Sequence, residues 1–133
     1  MKTFVFLSFC LFMIYACQVL KESADNPNLE GSIWKLVAIN EKPYIRANNT
    51  AFIKFDDDKI TGKAGCNTFG GGIEQIRNQI AFEEIITTKM FCEGLMDEEN
   101  NILSNLQKVK RYEVKADMLY LYDLDRLLLT YRR

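Results

Sequence analysis

The sequence contains no histidine. That absence removes the one side chain that ordinarily titrates near neutrality, and with it Ser–His and Cys–His catalytic pairs and imidazole metal sites. A membrane-spanning run is missing as well. Phe4 to Tyr15 is broken only by Ser8 and Cys10, yet at about 1.5 Å per residue it falls short of the roughly 30 Å hydrocarbon core. Nor is there a basic excess: 17 Lys and Arg stand against 18 Asp and Glu, for a net charge of −1. A nucleic-acid binder needs clustered positive charge, and a directly membrane-bound helix needs a basic face. The chain has neither, and it shows no internal repeat, low-complexity tract or second domain. These absences exclude histidine-dependent catalysis and imidazole metal sites and leave a small single domain.

What is present begins with a leader. Met1-Lys2-Thr3 gives a basic start, a short apolar run follows, and Ala16 precedes Cys17, which is the pattern of a secretory signal. Ile14-Tyr15-Ala16-Cys17 resembles a bacterial lipobox, which implies cleavage before Cys17 and acylation of its thiol and new amine. Otherwise Cys17 is an ordinary cysteine beside a cleavage site, or part of an uncleaved anchor. At about 0.8 kcal/mol per buried methylene, one acyl chain holds a protein marginally and two or three hold it stably. Gln18, rather than Asp, follows the cysteine, which points to the outer membrane with the domain facing the periplasm. The predicted organisation is a signal peptide at 1–16, a lipidated polar tether at 17–30 and one domain at 31–133.

Four cysteines are encoded. Cys10 leaves with the signal peptide and Cys17 takes lipid, so Cys66 and Cys92 remain. Two thiols in an oxidising compartment are the expected count for one disulfide, worth roughly 3–4 kcal/mol for a loop of this length. The alternative is a pair of buried free thiols acting as small apolar side chains.

Along the rest of the chain the dominant hydrophobic period is two. Strands are predicted at Ile33–Ile39, Ala51–Phe55, Lys59–Gly62, Gly72–Ile76, Ile80–Phe82, Tyr112–Lys115, Met118–Tyr122 and Leu127–Tyr131, separated by Asp, Asn and Gly. This is a largely antiparallel fold. One segment departs from that period: between Asp97 and Arg111, the residues Ile102, Leu103, Leu106 and Val109 recur at helical spacing. Asp97 suits the N-cap of that helix, Glu98 and Glu99 its first turn, and Lys108, Lys110 and Arg111 its last.

Trp34-Lys-Leu36, then Gly62-x-x-Gly65-Cys66-Asn67-x-Phe69-x-Gly71, then Thr88-Lys89-Met90-x-Cys92 resemble the META domain family, the HslJ-like small bacterial proteins. Ile73 and Phe91 stand where the family often has tyrosine and alanine. The resemblance spans Gly31 to Arg133. It implies a small, strongly twisted, barrel-like antiparallel sheet with one packed helix, and a role in the envelope under stress. It carries no catalytic residue. From the residues themselves, Gly62, Gly65 and Gly71 suit positive φ or close strand approach, and Asn67 suits a left-handed turn after Cys66.

Other candidate features have bland readings. Gly70-Gly71-Gly72 lacks the Lys-Ser/Thr and the helix that a phosphate cradle needs. Asp56-Asp57-Asp58 lacks the spacing of a calcium loop and reads as a solvated turn. Glu83-Glu84 reads as solvated surface, and Tyr112, Tyr120, Tyr122 and Tyr131 as core rather than a binding surface. The expectation is a non-enzymatic, lipid-anchored envelope protein without cofactor or metal, monomeric, with a protein partner and no nucleic acid. The alternative is a lipocalin-like carrier or sensor of a small apolar ligand, which would require an open interior.

Overall fold

The computed structural model describes residues 29–133. The predicted signal peptide, Cys10, Cys17 and the predicted tether up to Asn28 lie outside the described residues. The elements in chain order are β1 (Ile33–Ile39), β2 (Lys42–Pro43), β3 (Phe52–Asp56), β4 (Lys59–Lys63), β5 (Thr68–Ile76), β6 (Gln79–Thr87), α1 (Met96–Leu106), β7 (Arg111–Lys115), β8 (Met118–Asp123) and β9 (Arg126–Arg132). Each strand pairs antiparallel with its neighbour in the order β2-β1-β3-β4-β5-β6-β7-β8-β9, and β1 pairs β9 as well. The sheet therefore closes into a ring of hydrogen bonds. The fold is mainly antiparallel β with one packed helix, as the period-two pattern predicts.

Tight turns set the register. Asp56 pairs Lys59, Ile76 pairs Gln79, Lys115 pairs Met118 and Asp123 pairs Arg126, so each loop holds two residues. The first loop residue lies at positive φ in every case: Asp57 at 43°, Arg77 at 58°, Ala116 at 53° and Leu124 at 54°. Such turns carry the same hand of twist as the strands they join. The strain of non-glycine residues there is met by the ladders on either side.

The strands place alternate side chains inside. Trp34, Leu36, Ile53, Phe55, Ile60, Leu119, Leu121 and Tyr131 are all fully buried, and Ile102 and Leu106 of α1 join the same core. A buried side chain of this size contributes about 1.5–3 kcal/mol. The Trp34 indole also finds its polar partner, donating to the Leu29 carbonyl at 3.1 Å. Tyr112 and Tyr131 are core, as expected, whereas Tyr120 and Tyr122 are half-exposed.

Four predicted boundaries require correction. β5 begins at Thr68 rather than Gly72, and β6 runs on to Thr87 rather than ending at Phe82. The register shift between Gly70 and Gly72 lets both strands continue past an irregularity. At Gly71 a Cβ would sit 2.7 Å from the Glu83 carbonyl oxygen. The helix is shorter than its sequence pattern. Leu95, without a side-chain hydrogen bond, takes the N-cap position assigned to Asp97, and no basic residue lies in the last turn. The Lys110 N–H donates to the Tyr122 carbonyl at 2.8 Å and its carbonyl accepts from Ile80 at 3.1 Å. Sheet pairing thus draws Lys108 to Arg111 out of the helix.

Candidate functional site

The residues singled out by sequence converge where β4 gives way to β5. Gly62 admits no side chain, because a Cβ would strike the Phe52 carbonyl oxygen and the Phe69 ring. Gly65 takes φ 106°, a conformation costly for any residue with a Cβ. The turn this frees presents Cys66 and Asn67 to the segment after β6. There the structure joins Cys66 to Cys92, with a Cα–Cα distance of 5.9 Å.

Asn67 is the centre of this cluster. Its Nδ2 donates to the Met90 carbonyl at 2.9 Å and to Glu99 Oε1 at 2.6 Å. Its Oδ1 accepts from the Thr88 hydroxyl at 2.8 Å and from the Met90 N–H at 2.7 Å. Two donors and two lone pairs are all a primary amide has, so this one is saturated. Glu99 completes the arrangement. Its Oε2 accepts from the backbone N–H groups of Cys66 at 3.1 Å and Asn67 at 2.6 Å. Asn67 is 2% exposed and Glu99 3%.

One expectation changes here. Asn67 is not in the left-handed region (Gly65 is), and its side chain works as a clamp on three segments rather than as a turn former. Glu99 lies in the first turn of the helix, as predicted, but it is buried there and holds the turn. One signal for it was legible, because Glu99 falls on the same helix stripe as Ile102 and Leu106. Met90 serves through its backbone, while its side chain is exposed. Trp34 and Leu36 lie in the core, Gly71 lies on β5, and Cys17 is outside the described residues.

The cluster is a structural clamp. Both sulfurs are bonded to each other and the amide is saturated. What it does is fix the segment that follows β6. On that stretch Met90 and Phe91 are exposed, Phe91 by 82%, and so is Ile86 near the end of β6. Beside it, Arg46 ties the chain ahead of β3 to the helix start, pairing with Glu98 at 2.7 Å and donating to the Gly94 carbonyl at 3.2 Å. Solvent screens a half-exposed pair of this kind, so it orients the two segments and adds little stability. Tyr44 nearby has its phenol pKa pushed up, first by burial and then by Glu98.

Two grooves flank the exposed side of α1. One of about 400 Å³ lies among the β1–β2 turn, the helix and the β8–β9 turn, and includes Asn40, Glu41, Asn101 and Asn105. The other, of about 250 Å³, shares Asn40 and Asn101 and adds Pro43 and Tyr44.

The model of the META domain family matches residues 27–133. The chain belongs to that family. Among solved structures, an NMR structure at 25% identity covers 78% of this META chain and 90% of its own, with a TM-score of 0.63. An NMR structure of a Burkholderia xenovorans protein gives 21% identity, 83% and 86% coverage and a TM-score of 0.66. The crystal structure of a DUF4847 family protein from Bacteroides vulgatus, at 14% identity, covers 78% and 93% with a TM-score of 0.59. The last two likenesses concern the fold alone. No curated protein matches the chain.

Proposed function

We propose that this META-domain protein is a non-enzymatic module of the bacterial envelope, held to the outer membrane by a lipid on Cys17, that acts by binding a protein partner and so supports the envelope under stress. The observation that carries this reading is the filled ring. Trp34, Leu36, Ile53, Phe55, Leu121 and Tyr131 point inward and are fully buried, which favours recognition on the outer surface over carriage of a small apolar ligand. The clamped segment bearing Met90 and Phe91, with Ile86 at the end of β6, is an apolar surface on a rigid support, of the kind that binding sites use.

Photo-cross-linking in intact envelopes tests the binding claim. A cross-linker at Phe91 should give a reproducible adduct with one protein, and the same group at exposed Ile76, on the β5–β6 hairpin, should not. Equal labelling from both positions, or none from Phe91, counts against the reading. The anchor is tested separately by the intact mass of membrane-extracted protein. Loss of residues 1–16 with added acyl mass is expected, and an unmodified Cys17 overturns it.

A further inference from the structure

The ring of strands is thinly closed at one seam. β6 pairs β5 from Gln79 to Thr87, yet it meets β7 at a single residue pair, Gln79 opposite Arg111. Beside that pair the Ile80 N–H donates to the Lys110 carbonyl at 3.1 Å, and the Tyr112 N–H donates to the Asn78 carbonyl at 3.0 Å. Among the described residues no strand runs alongside Ala81 to Thr87 on that side. Alternation along β6 fixes which groups face the gap. The Ile80 N–H points away from β5, so the Phe82 N–H, two residues on, points the same way. At the far end the Thr88 N–H donates to the Thr68 carbonyl at 3.1 Å, which leaves the Thr87 N–H facing outward. The register shift between Gly70 and Gly72 absorbs the change of phase. Neither Phe82 nor Thr87 has a backbone partner on this edge among the described residues.

The side chains along this edge carry charge of one sign. Glu83 and Glu84 are exposed on β6, with exposed Ile86 beyond them. Glu74 of β5 is exposed on the same outer face, since it pairs Ala81, two residues before Glu83. No ion pair reaches Glu74, Glu83 or Glu84 among the described residues. A second copy of the chain, paired antiparallel about this stretch, would set glutamate against glutamate, which is destabilising. The edge is therefore guarded against its own kind and left open to a strand of opposite charge.

We propose that β6 receives an extended, basic segment of a partner protein, added antiparallel as a further strand. The main-chain groups at Phe82 and Thr87 supply the pairing, as in other complexes built by strand addition. Lys or Arg side chains on the outer face of the incoming segment stand opposite Glu83 and Glu84 and supply the choice of partner. The proposal rests on the protein-binding reading above and names the element that the partner contributes. Phe91 follows Thr87 by four residues, so one partner can reach both.

The test is hydrogen exchange by NMR on the full-length, ¹⁵N-labelled protein in micelles of a zwitterionic detergent. In the protein alone, the Phe82 and Thr87 amides should exchange faster than the Ile80 amide, which is bonded to Lys110. Protection equal to that of Ile80 means that the edge is already closed, and overturns the proposal. The probes are an octapeptide of alternating Lys and Val, its Glu-for-Lys counterpart, and the Lys peptide methylated at its valine main-chain nitrogens. The Lys peptide should protect both amides saturably, and the other two should bind at least about tenfold more weakly. Methylation keeps the charge and removes the pairing, so equal binding of the methylated peptide means attraction by charge alone. That result overturns the proposal, as does a lack of protection by the Lys peptide up to its solubility. The double variant Glu83→Lys, Glu84→Lys changes only exposed side chains and should prefer the Glu peptide; an unchanged preference overturns the proposal as well. A Phe91 adduct in envelopes together with failure of the peptides keeps the apolar surface and discards the edge, so the two readings fall separately.

Discussion

A single buried amide and a single buried carboxylate hold together the segments that define this fold. Asn67 uses all four of its hydrogen-bonding positions, and Glu99 receives the two backbone N–H groups of the turn that carries it. Asn67→Ala leaves the Met90 N–H, the Thr88 hydroxyl and the Glu99 side chain without their partner. Unsatisfied buried groups cost about 1–3 kcal/mol each when water cannot reach them, and partial relaxation leaves an expected loss of about 3 kcal/mol in a urea melt. Asn67→Asp is nearly isosteric but replaces the donor facing Glu99 with an acceptor. It should therefore cost at least as much, and a milder loss than alanine would show that the Nδ2 bonds matter little. The sequence marks Asn67 as important, as part of a Gly-Cys-Asn turn, but not how. Its four partners come from Met90, Thr88 and Glu99, more than twenty residues away, and no local pattern encodes such contacts.

Among the elements, the strands were the most legible part of the chain. β1 matches its predicted limits, Ile33–Ile39, and β8 and β9 match theirs to within a residue at each end. There the apolar alternation is regular and both ends carry turn residues. Legibility fails where tertiary pairing overrides local pattern. β5 and β6 continue through the Gly70–Gly72 irregularity, and α1 stops at Leu106 although Val109 keeps the helical spacing and is buried. The Cys66–Cys92 disulfide joins the β4–β5 connection to the approach to α1, 26 residues apart in sequence. Closing a loop of that length is worth roughly 3–4 kcal/mol against the unfolded chain. The Asn67 clamp holds the same two segments in the folded state. The double variant Cys66→Ser, Cys92→Ser should therefore lose roughly 3–4 kcal/mol in a denaturant melt and still show native amide dispersion by NMR. Collapse of that dispersion without denaturant would mean that the disulfide, and not the clamp, maintains the junction.

At the scale of the whole molecule, closure of the ring depends on β9, which pairs β8 on one side and β1 on the other. Tyr131 lies at the middle of that double ladder, opposite Leu36 and Leu119, and is buried with them in the core. Burial pushes its phenol pKa far above the ordinary value, because the interior disfavours the phenolate. Tyr44 and Tyr122 shift the same way, through burial and then through Glu98 and Glu113 respectively. In the unfolded chain a tyrosine ionises near pH 10. A folded pKa raised above the unfolded one gives stability that is fully present below about pH 10 and is lost as pH rises beyond it, since only the unfolded state then releases the proton. Tyr131 alone should add roughly 1 kcal/mol of lost stability per pH unit in that range. Urea melts of the wild type and of Tyr131→Phe from pH 8 to 11 measure this directly. The variant should lose stability less steeply by one proton, while keeping the ring-filling volume of the aromatic side chain. If the two slopes coincide, the Tyr131 hydroxyl is not sealed from solvent in the native state, and the β1–β9 junction opens before the rest of the ring unfolds.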